Sequence, residues 1–267
     1  MKIITFATMK GGTGKTTCCY NISCTLAKDS KVLVIDCDPQ GNLSSNFRWD
    51  VFDENTCTIS DLYRNLDISP EDIIQPIDTI ENLDLIPSSM YLYGTEVELA
   101  SKSFRETMLS TYLQMNMGFF AQYDYILMDT GPSMGLINQN AFNATDSIIL
   151  VTDPDVNGAQ GADIFVKLWN TVRDTRASSD DKIAGLIINN MEKTNISKSL
   201  MEYINEHERF SDLVFEQTVP HTTRFKECAE QNLPIYLLET KSGDKAKGKA
   251  IDSINNLIEE MKNRGIL

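Results

Sequence analysis

The chain has 267 residues, 42% of them hydrophobic, and carries 24 basic against 38 acidic side chains, a net charge of −14. That hydrophobic content is ample for a buried core, and the acidic balance excludes a generally basic nucleic-acid binder while leaving room for a local basic patch. No apolar run reaches the roughly 18 residues of a membrane span, Met1-Lys2 runs straight into a β-rich segment without a signal-peptide core, and the six cysteines include no Cys-x-x-Cys pair, so a cytoplasmic protein with reduced thiols is expected. Apolar β-branched runs alternate with helical patterns along the whole chain. This predicts an α/β fold, a mostly parallel twisted sheet with helices on both faces, in one domain over residues 1–267.

The first predicted strand, Lys2–Thr8, runs into Lys10-Gly11-Gly12-Thr13-Gly14-Lys15-Thr16-Thr17, and a helix is predicted over Thr16–Lys28. A glycine-rich loop at a strand-to-helix junction turns several backbone N–H groups toward one point, because no Cβ blocks the approach, and the helix adds the positive end of its dipole. The loop reads as a phosphate cradle for a nucleotide, formed by Gly11, Gly12, Thr13 and Gly14. Lys15 supplies charge to the terminal phosphates, the Thr16 hydroxyl a ligand for Mg²⁺, and Thr17 a hydrogen bond to the α-phosphate. Lys10 stands where an ordinary loop of this kind is unconstrained, and by itself reads as a solvated lysine.

The second strand, Lys31–Asp36, ends in Asp36-Cys37-Asp38-Pro39-Gln40-Gly41-Asn42. Carboxylates at the C-terminal end of a parallel strand stand where ligands bind in open α/β sheets. Asp38 is placed to orient a water, Asp36 to hold the water shell of the metal, and Pro39 and Gly41 to make a loop that moves with the γ-phosphate. Without the loop upstream, the same residues would read as a plain Asp-Pro-x-Gly turn. Residues 45–82 are the least regular, with Pro70, Pro76 and many acids, and are expected to decorate the domain edge. A strand at Leu83–Pro87 and a helix at Glu96–Met117 precede the strand Tyr125–Asp129, where four apolar residues and an aspartate make a Walker B pattern. Asp129 then accepts hydrogen bonds from a Mg²⁺-bound water or from Thr16. Further strands are predicted at Ser147–Val151, Ile183–Asn189 and Val214–Val219, and helices at Ala159–Arg173, Ser197–His207, Thr223–Gln231 and Lys245–Arg264.

The chain resembles the ParA/MinD class of ATPases. Lys10-Gly-Gly-Thr-Gly-Lys-Thr-Thr is similar to their deviant Walker A motif, whose front lysine reaches across a dimer to the partner's nucleotide. Asp36-x-Asp38-Pro-Gln-Gly-Asn resembles the switch I segment of ParA-type proteins, where the second aspartate is needed for hydrolysis. At Asp129-Thr130-Gly131-Pro132 relatives have Asp-x-Pro-Pro, so Gly131 loosens the switch II loop, and Asn138-Gln139-Asn140-Ala141 resembles the family's Asn-Ala helix start. Val219-Pro220-His221-Thr222-Thr223-Arg224-Phe225-Lys226-Glu227 resembles Ile-Pro-Arg-Asn-Val-Arg-x-x-Glu, with His221 in place of the first arginine. Lys241–Lys249 is similar to the family's terminal Ser-Lys-Gly-Ala segment. The resemblance spans nearly the whole chain, leaving residues 45–82 and 96–118 without motif support. It implies a ParA/Soj-type ATPase without the extra N-terminal DNA-reading domain of some relatives.

What the resemblance implies is a slow, partner-stimulated, Mg²⁺-dependent ATPase that dimerises with ATP. Lys10, Lys15 and Asp38 are the implied catalytic residues, Thr16, Asp36 and Asp129 serve the metal, and Asn189 and Pro220 join the loop in holding the nucleotide. Asn189 and Asn190 also read as a simple strand-end turn. The implied partners are a ParB-type centromere-binding protein or a cargo adaptor and non-specific DNA, with nucleoid association. Arg224, Lys226, Lys245 and Lys247 fall in the chain's basic cluster and are the candidate DNA contacts; a solvated helix start explains the same residues. A membrane-associated MinD-like role needs a basic amphipathic tail, but the stripe Ile251, Ile254, Leu257, Ile258 and Met261 has Glu259 and Glu260 beside it. A nitrogenase iron-protein role needs cluster cysteines that residues 58–227 do not supply. A metabolic ATP-dependent enzyme on the same fold is the remaining alternative.

Overall fold

The computed structural model describes residues 1–175, 181–206 and 209–267. In chain order the elements are β1 (Lys2–Ala7), α1 (Lys15–Leu26), β2 (Val32–Cys37), α2 (Asn42–Asn46), α3 (Ile59–Arg64), α4 (Pro70–Ile73), β3 (Gln75–Pro76) and β4 (Leu83–Ile86). They continue with α5 (Leu92–Leu99), α6 (Met108–Met115), α7 (Met117–Phe120), β5 (Tyr125–Thr130), α8 (Leu136–Ala144), β6 (Ser147–Thr152) and α9 (Val156–Thr175). The last are β7 (Ile183–Ile188), α10 (Asn195–Glu206), α11 (Thr223–Gln231) and α12 (Lys245–Asn263).

The strands form one seven-stranded sheet in the order β3-β4-β2-β5-β1-β6-β7, and all pairs are parallel except β3 with β4. Strands covered on both faces read as continuous apolar runs, and every residue of β2 is buried. Successive side chains nonetheless go to opposite faces. Val32 and Val34 join the core under α1 and α12, whereas Leu33 and Ile35 join the core with Tyr63, Leu99, Tyr112 and Phe120. A third cluster, around Phe142, Phe165 and Trp169, packs α9 and α10 near β6 and β7. The predicted α/β architecture with helices on both faces is therefore found.

Three predicted elements differ. The helix expected over Glu96–Met117 is two helices, α5 and α6, because Phe104 between them takes φ 55°, which no α-helix continues. The strand expected at Val214–Val219 is reduced to isolated bridges, Leu186 with Val214 and Met191 with Pro220. Between them the N–H groups of Glu216 and Gln217 donate to the Glu260 carboxylate of α12, both at 3.0 Å, so a side chain replaces the strand partner. The helix expected at Ser197–His207 begins earlier, at Asn195, and His207 lies outside the described residues. Residues 45–82 do more than decorate an edge. Thr58 and Asp61 cap α3 reciprocally in a capping box, and Ile59, Leu62 and Tyr63 are buried against the sheet.

The five buried cysteines and half-buried Cys57 are all free thiols, and burial pushes the Cys18 thiol up to about 12. Among the described residues, no helix is long and apolar enough to cross a membrane.

Candidate functional site

The parallel register brings the site together. Asp129 on β5 is level with Phe6 on β1 and with Asp36 on β2, so the loops leaving these three strands share one sheet end. The loop from Lys10 to Gly14 leaves β1 and enters α1, with Gly12 at φ 82° and Gly14 at φ 79°. Gly14 is required twice over. A Cβ there would sit in the left-handed region and collide with the Asn189 side chain, whose Nδ2 donates to the Thr13 carbonyl at 2.7 Å.

Asp129 organises the inner wall. Lys15 Nζ donates to its Oδ1 at 2.5 Å and the Thr16 hydroxyl donates to its Oδ2 at 2.6 Å. Lys15 is 6% exposed and Asp129 fully buried. Burial opposes the lysine's charge, but the Asp129 carboxylate outweighs it and holds Lys15 above the ordinary value. Burial raises Asp129 against the pull of Lys15 and Thr16.

Asp36 has a different place from the one expected. Its Oδ1 accepts from the Asp38 N–H at 3.0 Å, and its Oδ2 accepts from the Ser44 N–H and hydroxyl at 2.8 and 2.7 Å. Burial, and then the charge of Asp129, push it up to about 7. Its oxygens thus tie the Asp38 N–H to Ser44 in α2, and Asp38 lines the groove. Asp38 accepts from the Gln40 N–H at 2.9 Å and faces Gly131. Asn138 clamps Gly131 on both sides, donating to its carbonyl at 2.8 Å and accepting from its N–H at 3.2 Å. The glycine that sequence alone reads as loosening switch II is therefore pinned.

Lys10 turns away from its own loop. Its Nζ donates to Asp153 at 3.1 Å and to Asp155 at 3.0 Å, beyond the end of β6. Burial works against its charge, and the two carboxylates more than offset it, so its pKa is raised.

Two adjoining grooves surround the loop. One, of about 550 Å³, runs from Lys10 and Lys15 past Asp38 to Pro132. The other, of about 650 Å³, is lined by Gly12, Thr17, Asp153, Asn190 and Phe225 among others. Asn189 lines this second groove but spends its amide on the loop. Pro220 does not line it. It pairs with Met191 and borders a separate groove with Lys245 and Lys249, while its neighbours His221 and Thr222 face the site. Asp153 and Asp155 belong to no motif; an Asp-Pro-Asp following a parallel strand is the sequence signal for them.

The basic candidates divide. Arg224 is paired with Glu227 and with Asp244 at 2.8 Å, and Lys247 Nζ donates to the Leu238 carbonyl. Lys226 and Lys245 are exposed.

The site's donors suit a nucleotide and Mg²⁺. Thr13 Oγ1 is buried without a partner inside the loop, and the space above Gly11 and Gly12 is open. The Thr16 hydroxyl and the Asp129 carboxylate are hard oxygen ligands, of the kind Mg²⁺ takes while keeping several waters. No group of three or more His, Cys, Asp or Glu residues fit for a metal occurs among the described residues.

Comparison with known proteins gives a consistent picture. A family model, the AAA domain, matches residues 1–184. The sporulation initiation inhibitor protein Soj of Bacillus subtilis is 34% identical over 245 residues, 90% of this chain and 92% of Soj. The apo structure of Cyanothece McdA superposes with a TM-score of 0.81 at 21% identity, covering 97% of this chain and 99% of that one. A candidate plasmid partition protein of Borrelia burgdorferi, bound to AMPPNP, gives 0.77 at 25% identity, covering 98% and 99%.

Proposed function

The chain belongs to the ParA/MinD type of P-loop ATPases, and from that premise we propose that it is a Mg²⁺-dependent ATPase working as an ATP-driven dimerisation switch. The observation that carries this reading is that Lys15, Thr16 and Asp38 line one open groove, with the buried Asp129 carboxylate holding Lys15 and Thr16 from behind. The backbone N–H groups of residues 11–17 and Lys15 receive the phosphates. Thr16 and Asp129 would hold Mg²⁺, which would supply positive charge to the phosphates. Asp38 orients the water that attacks the γ-phosphorus as the bond to the bridging oxygen breaks, yielding ADP and phosphate. Asp36 serves this step indirectly, by fixing the Asp38 loop.

Lys10 is the cross-subunit element. Its Nζ leaves Asp153 and Asp155 and reaches the phosphates of a second copy. Its side chain is 31% exposed, and partly exposed pairs contribute only about 0–1 kcal/mol each, so a polyphosphate can outcompete them. Hydrolysis removes the shared γ-phosphate and the dimer separates. The ATP dimer binds DNA without sequence preference through Lys226 and Lys245, with Arg224 and Lys247 flanking them. A ParB-type centromere-binding protein or cargo adaptor stimulates turnover. The output is partition of a plasmid or chromosome, or positioning of another cargo, in the cytoplasm on the nucleoid.

ATP-dependent co-sedimentation with DNA tests the reading. Asp38→Ala is expected to bind ATP, dimerise and remain on DNA, and Lys10→Ala to stay monomeric. An Asp38→Ala protein that neither dimerises nor binds DNA with ATP present refutes the switch.

A further inference from the structure

The segment between β4 and α6 carries no recognisable motif, yet it touches both loops that the reaction needs. Ser88 at its start is fully buried. Its hydroxyl donates to the Asp38 carbonyl at 2.7 Å, and its N–H donates to the Ser44 hydroxyl at 2.9 Å. Asp38 is thereby held at both backbone groups, the N–H by Asp36 and the carbonyl by Ser88. In α5 the Tyr93 hydroxyl accepts from the Gln40 side chain, a second link to the same loop.

Three residues on, Glu96 reaches the other loop. Its Oε1 accepts from the Ile137 N–H at 3.4 Å, in the first turn of α8. That helix has no cap of its own: its N-cap is Gly135 and its first turn holds no acidic residue. A side chain at position 135 would collide with the Glu96 carboxylate. Glu96 therefore supplies from α5 the acceptor and the negative charge that the start of α8 lacks. Asn138, in that same first turn, holds Gly131 at both backbone groups, and Gly131 faces Asp38. The contacts thus run from Asp38 to Ser88, along the chain into α5, and from Glu96 through α8 and Asn138 to Gly131, which faces Asp38.

We propose that Glu96 is a positioning residue for ATP hydrolysis, fixing the Gly131 loop relative to Asp38 by capping α8 from α5. The proposal rests on the ATPase reading above. Glu96 lines neither groove at the loop, and acts through Asn138 and Gly131. The nucleotide cradle is built by other residues, so loss of Glu96 misplaces the hydrolytic groups without emptying the cradle. Small misplacements of reacting groups cost on the order of tenfold or more in rate. A loss confined to kcat marks an interaction made for the transition state.

Steady-state ATPase kinetics on full-length wild type, Glu96→Ala, Glu96→Gln and Asp38→Ala test this, with thermal unfolding as the check on folding. Glu96→Ala is expected to lower kcat about tenfold with KM for ATP within about twofold. Glu96→Gln, which keeps the acceptor oxygen, is expected within about threefold of wild-type kcat. Wild-type kcat in Glu96→Ala, an equal loss in both Glu96 variants, or a matching rise in KM overturns the proposal. If Glu96→Ala does not fold, Glu96→Asp, one methylene too short to reach the Ile137 N–H, carries the test: a kcat loss of about tenfold with KM within about twofold supports the proposal, and wild-type kcat overturns it. Wild type without ATP hydrolysis, or Asp38→Ala as active as wild type, overturns the ATPase reading and this proposal with it. Glu96→Ala at full rate beside an inactive Asp38→Ala overturns this proposal alone.

Discussion

Gly14 sits at φ 79° directly against the Asn189 amide, so one hydrogen atom in place of a methyl decides whether the loop can form. A Cβ there adds left-handed strain and a collision with a buried side chain. Gly14→Ala is expected to lose about 2–4 kcal/mol of stability, read from urea unfolding, together with nucleotide binding. The thiols give a second test at this scale. Five of them are buried, and burial raises their pKa values, Cys228 up to about 12. A thiol reagent at pH 8 should modify Cys57 first and the other five only on unfolding. Rapid labelling of Cys18 or Cys19 in native protein would contradict the packing described. The loop residues were legible in sequence because glycine, lysine and threonine at fixed spacing have few other uses. The partners of those residues were not: nothing local to Lys10 points to Asp153 and Asp155, about 140 residues away along the chain.

Among the elements, the sharpest contrast lies between the parallel strands and the stretch after α10. The apolar runs of β1, β2, β5, β6 and β7 are readable because burial on both faces leaves little but Val, Ile and Leu. Val214–Val219 is apolar only at its ends, around Glu216, Gln217 and Thr218, and forms only isolated bridges beside β7, since Glu260 of α12 takes the N–H groups that a ladder would use. Glu260→Ala is expected to destabilise the protein by about 1–2 kcal/mol. Amide exchange at Glu216 and Gln217 should quicken first, and unchanged exchange there would show that the carboxylate is dispensable. The break between α5 and α6 was equally hidden, because the positive φ at Phe104 has no glycine or asparagine to announce it.

For the molecule as a whole, net charge and surface distribution set the terms of DNA binding. With −14 overall, only a confined patch can meet phosphate, and internal pairing of Arg224 and Lys247 leaves Lys226 and Lys245 as the exposed candidates. Two lysines per copy make about four phosphate contacts in a dimer, so affinity should fall on the order of 10²-fold between roughly 50 and 200 mM salt. A flat salt response would sink the DNA role, and Lys226→Ala with Lys245→Ala should flatten the slope. The α/β class and the nucleotide loop were determined by sequence alone, because strand burial and phosphate binding each restrict residue type at fixed short spacing. Only the tertiary structure decided that Asp36 braces a loop, that Pro220 stays out of the groove, and that Lys10 rests on Asp153 and Asp155. Those are contacts between residues that the parallel sheet brings to one end from far apart in the chain, and no local pattern encodes which side chain meets which.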